Sequence, residues 1–277
     1  MSPFQKFLYF TSKPLLARNK KFLNRYKGES CYIFGAGYSI RYFDLLKLPE
    51  LNSIGINYFC VHKDYSNLNI GFHAIPQPYY FYPFYKTPRK KYIRNILAGL
   101  FQEILEGNPQ TQVFTSLSNV LGYQGRQVHY MHHFGHRNPE RQLCDISAVN
   151  SFMHAGLNAA VGVAINLGFE KAYLVGCDYL FDIGKAPHFF CHGPPVIIER
   201  DHCVYPDLLR EASSLIDLEL ITDEGGSQWL PSQTYTEYTG ANLKDQDNVD
   251  IVPEVYLDTL QKGYLLNQWP NPIYAQV

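Results

Sequence analysis

An α/β fold, with a mostly parallel sheet covered by helices on both faces, is the class this sequence predicts. Three observations predict it. Ser30–Phe34 (SCYIF) is a β-prone run that leads into two glycines, Gly35 and Gly37. Ser151–Leu167 is small, apolar and helix-compatible, and Gly168 stands where a C-terminal cap belongs. Lys171–Gly176 (KAYLVG) then reads as a strand buried on both faces, ending at Cys177-Asp178.

The elements follow in chain order. The first 27 residues carry Lys6, Lys13, Arg18, Lys20, Lys21, Arg25 and Lys27 and no acid, with Phe4, Phe7, Leu8 and Phe10 among them. This leader, residues 1–28, is expected to dock the apolar side of a solvated helix on the domain. Its rival reading is peripheral contact with an anionic membrane surface. Pro14 is expected to interrupt any single long helix there. After the first strand, Arg41–Leu48 fits a short helix stopped by Pro49, and Ser53–Cys60 a second strand. Gln77–Tyr85, dense in Pro and Tyr, is expected to be irregular, and Arg89–Leu105 helical. Beyond Asp178 come a Gly/Pro/His-rich loop (182–195), a helix at Pro206–Ile216 and a short strand, Leu218–Ile221. Residues 231–277 show no period and are expected to wrap the domain as an irregular tail. The core, 29–230, is read as one Rossmann-like domain with a lid region around 180–205.

Composition narrows the function. With 46% apolar and 18% charged residues in 277, the chain has enough apolar surface for a substantial core, which excludes wholesale disorder. A net charge of -1 argues against a nucleic-acid partner, which demands a cationic surplus. Six cysteines include no C-x-x-C pair, so reduced thiols in a cytoplasmic protein are expected. No run of 18 uncharged apolar residues and no signal-peptide pattern occurs. The expected location is therefore the cytoplasm, with the inner membrane surface as the place of any peripheral contact. The 22 Tyr and 18 Phe suit stacking on sugars or bases as well as ordinary packing.

In a sheet of this kind a ligand lies at the carboxyl ends of the strands. Three positions converge there: Gly35-Ala36-Gly37-Tyr38-Ser39, Asn57 and Asp178. The glycines admit close approach of backbone N–H groups to a phosphate, and a helix start beyond them favours negative charge. Ser39 is a candidate cap or phosphate ligand. The loop is not G-x-G-x-x-G, because Ile40 holds the third glycine position, so a dinucleotide reading is weakened. Each position has a plainer reading: a tight turn for the glycines, a turn former for Asn57, and a helix-capping carboxylate for Asp178.

The run Asn19–Ser39, Asp44 and Ile54–Phe59 (IGINYF) resembles the opening of a bacterial glycosyltransferase-like family of unknown function. His154–Tyr179 (HAGLNAAVGVAINLGFEKAYLVGCDY) is similar to that family's second signature, a small-residue helix, Leu-Gly-Phe, a strand and Gly-x-Asp-aromatic. Both signatures are shared with small bacterial sialyltransferases and flagellin-modifying glycosyltransferases. The resemblance implies a nucleotide-sugar donor, CMP-linked in the sialyltransferases, and a glycan or glycoprotein acceptor in cell-envelope polysaccharide biosynthesis. It implies a nucleotide site lined by Gly35, Ala36, Gly37, Ser39, Asn57, His154, Ala155, Gly156 and Asp178. It also implies His192 as the catalytic base with His188 as the alternative, and no metal or other cofactor. Ala36 stands in place of the family's loop Asn, Tyr38 of its Pro, Phe152 of an Arg and Leu180 of a phosphate-binding Tyr. These departures bear on sialic acid more than on nucleotide-sugar transfer.

Two histidine-rich sets offer weak metal-site readings. His129, His132, His133 and His136 would share a helix face, but no acid or Cys completes a familiar zinc pattern. Cys191-His192 with His202-Cys203 would ask adjacent residues to ligate one ion. Neither a G-x-S-x-G elbow nor a P-loop occurs. The competing functions are an ATP- and magnesium-dependent pyrophosphokinase of the hydroxymethylpterin type, with Asp178 and nearby acids as metal ligands, and a non-catalytic nucleotide-binding protein.

Overall fold

The computed structural model describes residues 3–77, 80–84, 86–132, 145–148, 155–204 and 206–268, without the side chains of 3–9, 89, 208 and 264–268. In chain order the helices and strands are α1 (Pro3–Ala17), β1 (Ser30–Phe34), β2 (Asn52–Ile56), β3 (Ile70–Ile75), α2 (Pro88–Glu106), β4 (Gln112–Ser116) and β5 (Val128–Met131). There follow α3 (Gly156–Leu167), β6 (Lys171–Val175), β7 (Ile183–Ala186), β8 (Val196–Glu199), α4 (Pro206–Ala212), β9 (Asp217–Thr222) and β10 (Ser232–Thr234). The chain closes with α5 (Tyr235–Thr239), α6 (Asn248–Ile251) and α7 (Glu254–Gln268).

Eight strands form one sheet in the order β10-β9-β6-β1-β2-β3-β4-β5, and every pairing in it is parallel. From β1 the chain steps outward to β5, then α3 carries it back to the other side of β1, where β6 begins. The strand order therefore reverses between β1 and β6. Alternation along β1 feeds two cores: Tyr32 and Phe34 face one, Cys31 and Ile33 the other. The first core lies beneath α2 and α7, through Leu97, Phe101, Leu257 and Leu260. The second lies beneath α3 and α4, through Leu157, Val161, Ala164 and Leu209. This is the Rossmann-like α/β architecture, helices on both faces of a parallel sheet.

α3 ends on Gly168 in the left-handed region (φ 86), as its sequence predicts, but starts at Gly156 and not near Ser151, because Ala155 is extended. Other elements depart from expectation for identifiable reasons. α1 runs through Pro14; both Pro14 and Phe10, whose carbonyl loses its intrahelical donor, are on the exposed side, where water can satisfy that carbonyl. The segment after the glycine loop is two 3-10 turns, Tyr38–Tyr42 and Leu45–Lys47, and not an α-helix. The tail claims the carbonyls such a helix needs: Gln246 Nε2 donates to Arg41 and Phe43 O, and Lys244 N–H to Tyr42 O. The second strand stops at Ile56, because Asn57 turns to φ 47 and opens a 3-10 turn over Asn57–Val61.

Residues 231–268, expected to be irregular, hold regular elements. β10 extends the sheet, and α5 opens on a Thr234–Glu237 capping box. Part of the loop 182–195 is β7, which pairs antiparallel with β8. β3, β4 and β5 escaped the sequence reading because buried polar residues interrupt their apolar runs. Each is satisfied locally: Thr111 and Thr115 donate to Ile70 O and Ile75 O, and His129 Nε2 lies 2.8 Å from Gln112 Oε1.

Candidate functional site

The loops after β1 and β6 meet at the reversal of strand order. Gly35 N–H donates to Val175 O and Gly37 N–H to Gly176 O, at 2.7 and 2.8 Å. A Cβ on Gly35 would stand 2.3 Å from Gly176 O, and one on Gly37 would stand 2.1 Å from Asp178 Oδ1. The two glycines thus permit close approach of the β1 and β6 loops to each other. Ser39 and Asp178 are both buried and bond each other twice: Ser39 N–H to Oδ2 at 2.8 Å and Oγ–H to Oδ1 at 2.6 Å. Burial pushes the Asp178 carboxyl up to about 7, against the lowering by Ser39's hydrogen bonds. Asp178 and Ser39 lock the loop; their polar atoms are directed at each other.

The helix start expected after Gly37 is not there, so the helix end available to an anion is that of α3. Its N-cap, Ala155, has no side chain able to cap, and among the described residues no acceptor is seen for the first-turn N–H groups of Gly156, Leu157 and Asn158. Asn57, at the end of β2, is pressed against that turn: a Cβ on Gly156 would lie 2.7 Å from Asn57 Nδ2 and 2.3 Å from Ile56 Cγ2. Asn57 Oδ1 is buried with no hydrogen-bond partner among the described residues, and so is Asn158 Oδ1. His154 and Phe152 lie outside the described residues.

Behind Asn57 stands a buried relay that the sequence reading missed. His73 Nε2–H donates to Asn57 O at 3.0 Å, and Tyr65 OH lies 3.1 Å from His73 Nδ1, which therefore accepts. Burial holds His73 down at about 4, so the ring is neutral and this tautomer persists. The relay fixes the carbonyl of a residue in the left-handed region, where a non-glycine is uncommon.

A strap, residues 187–193, crosses over the glycine loop. Phe189 N–H donates to Ala36 O, and Gly37 bridges to His188 in antiparallel fashion. His188 Nδ1–H donates to the same Ala36 carbonyl at 3.0 Å, which puts the ring's lone pair on Nε2. Its ring packs beside Tyr58 and Phe190, and burial lowers its pKa to about 4. His192 sits apart: its side chain is exposed and Nδ1 lies 3.3 Å from Asn248 Nδ2. The structure thus brings His188, Ala36, Gly35, Gly37 and Asp178 together, with Asn57, Ala155 and Gly156 grouped at the start of α3.

Arg41 holds the strap in place, another residue the sequence reading passed over. Its buried guanidinium donates to Phe189 O at 2.8 Å, to Cys191 O and to Tyr38 OH at 2.9 Å. Asn248 and Gln261 both donate to Phe190 O, at 2.9 and 2.8 Å. No pattern marks these residues in the sequence, because their partners are backbone carbonyls far along the chain.

His129 does not share a helix face with His132. His129 is on β5, buried against Phe22 and Phe114, while His133 and His136 lie outside the described residues. Cys191 is buried while His202 is exposed, and among the described residues no three His, Cys, Asp or Glu side chains gather as metal ligands would.

Fold and geometry define a Rossmann-like α/β protein whose candidate ligand site lies at the carboxyl ends of β1, β2 and β6. The sequence matches no protein-family model, and no curated protein matches it. Among solved structures the chain is similar to the MAf glycosyltransferase from Magnetospirillum magneticum AMB-1, at 14% identity and a TM-score of 0.47, covering 93% of this chain and 41% of that one. It is also similar to the sialyltransferase CstII from Campylobacter jejuni in complex with the substrate analogue CMP-3FNeuAc, at 13% identity and a TM-score of 0.39, over 86% of this chain and 100% of that one. A second CstII structure, with cytidine-5'-monophosphate, matches at 15% identity, a TM-score of 0.38, and 86% and 99% coverage. The chain spans less than half the length of the MAf protein.

Proposed function

We propose that this protein is a glycosyltransferase that moves a sugar from a nucleotide donor, CMP-linked by its sequence resemblance, to a hydroxyl of a glycan or glycoprotein acceptor. The observation that carries the reading is the grouping of an uncapped helix start with Asn57 at one edge of the strand-order reversal and His188 at the other. The N–H groups of Gly156, Leu157 and Asn158 suit the donor phosphate. The buried Oδ1 atoms of Asn57 and Asn158 call for donors, which ribose hydroxyls and an exocyclic base amine supply. Gly35, Gly37, Ser39 and Asp178 shape the loop that carries Ala36 and, through it, His188.

In this mechanism the acceptor oxygen attacks the anomeric carbon while His188 Nε2 takes the hydroxyl proton. The bond from the anomeric carbon to the phosphate oxygen breaks, and the nucleotide leaves with that electron pair. The Ala36 carbonyl, already accepting from Nδ1–H, steadies the imidazolium that forms. The dipole of α3 takes the charge of the departing phosphate. His192, the base that the resemblance implies first, is exposed on the strap, so in this reading His188 takes the role. The pyrophosphokinase alternative needs Asp178 as a magnesium ligand, and both Asp178 oxygens already accept from Ser39.

The test is CMP release from CMP-linked sugars by the purified chain, with and without a glycan acceptor, with UDP- and GDP-linked sugars in parallel. Acceptor-dependent release that His188→Gln abolishes is the expected result. Binding without turnover for every donor would make the chain a non-catalytic nucleotide-binding protein.

A further inference from the structure

The leader docks one face on the domain and leaves the other to solvent. Ser12, Leu16, Asn19 and Phe22, spaced four, three and three apart, are buried. Asn19 Nδ2 anchors this stripe by donating to Tyr130 O and Ile146 O, at 2.8 and 2.9 Å. The positions between and beyond that stripe expose Lys13, Arg18, Lys20, Lys21, Arg25 and Lys27. Two large apolar side chains stand out among these cations, Phe10 at 64% and Leu23 at 59% exposure. Seven of the chain's 24 Lys and Arg, and none of its 25 Asp and Glu, fall in the first 28 residues, so this face is basic on an otherwise net-acidic chain. Beside it an open cleft of about 550 Å³ is lined by Lys21, Arg25, Tyr26, Gly71 and Gln110.

We infer that this face is a docking surface for an anionic lipid bilayer. Cations alone would serve any polyanion. Exposed Phe10 and Leu23 between them match an interface that offers charge at the headgroups and apolar depth beneath, which a nucleic-acid backbone does not. Geometry agrees with attachment. Asn24 and Tyr26 N–H donate to Asn166 O and Leu167 O, at the carboxyl end of α3. The Asn24–Tyr26 end of the leader is therefore anchored near the amino end of β6, opposite the strand ends that carry Gly35 and Asn57. The inference stands whether or not the chain is a glycosyltransferase.

The experiment is flotation of the full chain with phosphatidylcholine vesicles, and with vesicles of about one-third phosphatidylglycerol. Flotation with the anionic vesicles alone is expected, lost at about 1 M salt, where the Debye length falls to about 3 Å. Each basic residue at such a surface strengthens partition by about fivefold, so Lys20→Glu/Lys21→Glu/Arg25→Glu is expected to weaken it by at least about 100-fold, with an unchanged melting temperature. Phe10→Ser is expected to weaken it by roughly tenfold, a loss that persists across salt concentrations. Failure of the wild-type chain to float with anionic vesicles, or equal flotation with phosphatidylcholine alone, would overturn the inference. So would retention by RNA or DNA at physiological salt with the vesicles left unbound.

Discussion

Ser39 donates two hydrogen bonds to Asp178 across 139 residues of sequence, 2.8 Å from its N–H and 2.6 Å from its Oγ, and so ties the end of β1 to the end of β6. The pair is fully enclosed, and its enclosure has consequences for stability that can be measured.

The Asp178 carboxyl sits near 7 in the folded chain against an ordinary 3.8, so the folded state holds a proton the unfolded state has lost. Stability contributed by this group is therefore present at low pH and lost as pH rises through the folded value. Relative to Asp178→Asn, the wild-type chain is expected to lose roughly 1 kcal/mol between about pH 6 and pH 8. Urea unfolding of both proteins across that window checks it; parallel curves would contradict it.

Buried histidines act in the opposite sense at lower pH. His73, His129 and His188 are lowered from 6.5 to about 4, so the unfolded chain binds protons first. Stability from these groups is present above 6.5 and falls as pH drops toward 4, at up to roughly 1.4 kcal/mol per pH unit for each ring. His129→Gln, on β5 and away from the candidate site, is expected to make that acid limb shallower.

The glycines separate packing from binding. Gly37→Ala drives a Cβ to 2.1 Å from Asp178 Oδ1 and 2.7 Å from Gly176 O, and a loss of about 2 kcal/mol or more is expected. Gly156→Ala meets the Ile56 and Asn57 side chains instead of backbone. Its expected signature is weaker nucleotide binding with a smaller change in melting temperature. Calorimetry and thermal melts on the two variants test the distinction.

The two strap histidines should divide cleanly. His188→Gln is expected to lower kcat by about 10²–10⁴-fold with donor affinity retained. His192→Ala, at an exposed ring beside Asn248, is expected to change kcat by only a few-fold. Steady-state kinetics with a CMP-linked donor decide between them.

The sheet's centre was legible because β1 and β6 are apolar on both faces and α3 closes on a glycine that must be left-handed. Its outer half was not, since Thr111, Thr115 and His129 are polar and become buried only through partners on neighbouring strands. The glycine loop and Asn57 stand out as candidates by their types and order, and Gly156 only through the family resemblance. The resemblance ranks His192 above His188; the contact that favours His188 here, to the Ala36 carbonyl 152 residues away along the chain, has no local sequence signal. Arg41 and the Tyr65–His73 relay were invisible for the same reason: their meaning lies wholly in tertiary contacts.

The central claim is a nucleotide site between the glycine loop, Asn57 and the start of α3, and isothermal titration of the full chain with CMP, UDP, GDP, ADP and ATP, each with and without magnesium, tests it most directly. The account predicts saturable binding of CMP without magnesium, weakened by Asn57→Ala and by Gly156→Ala. Binding of ATP only in the presence of magnesium would replace it with the kinase alternative, and no binding of any nucleotide would contradict it.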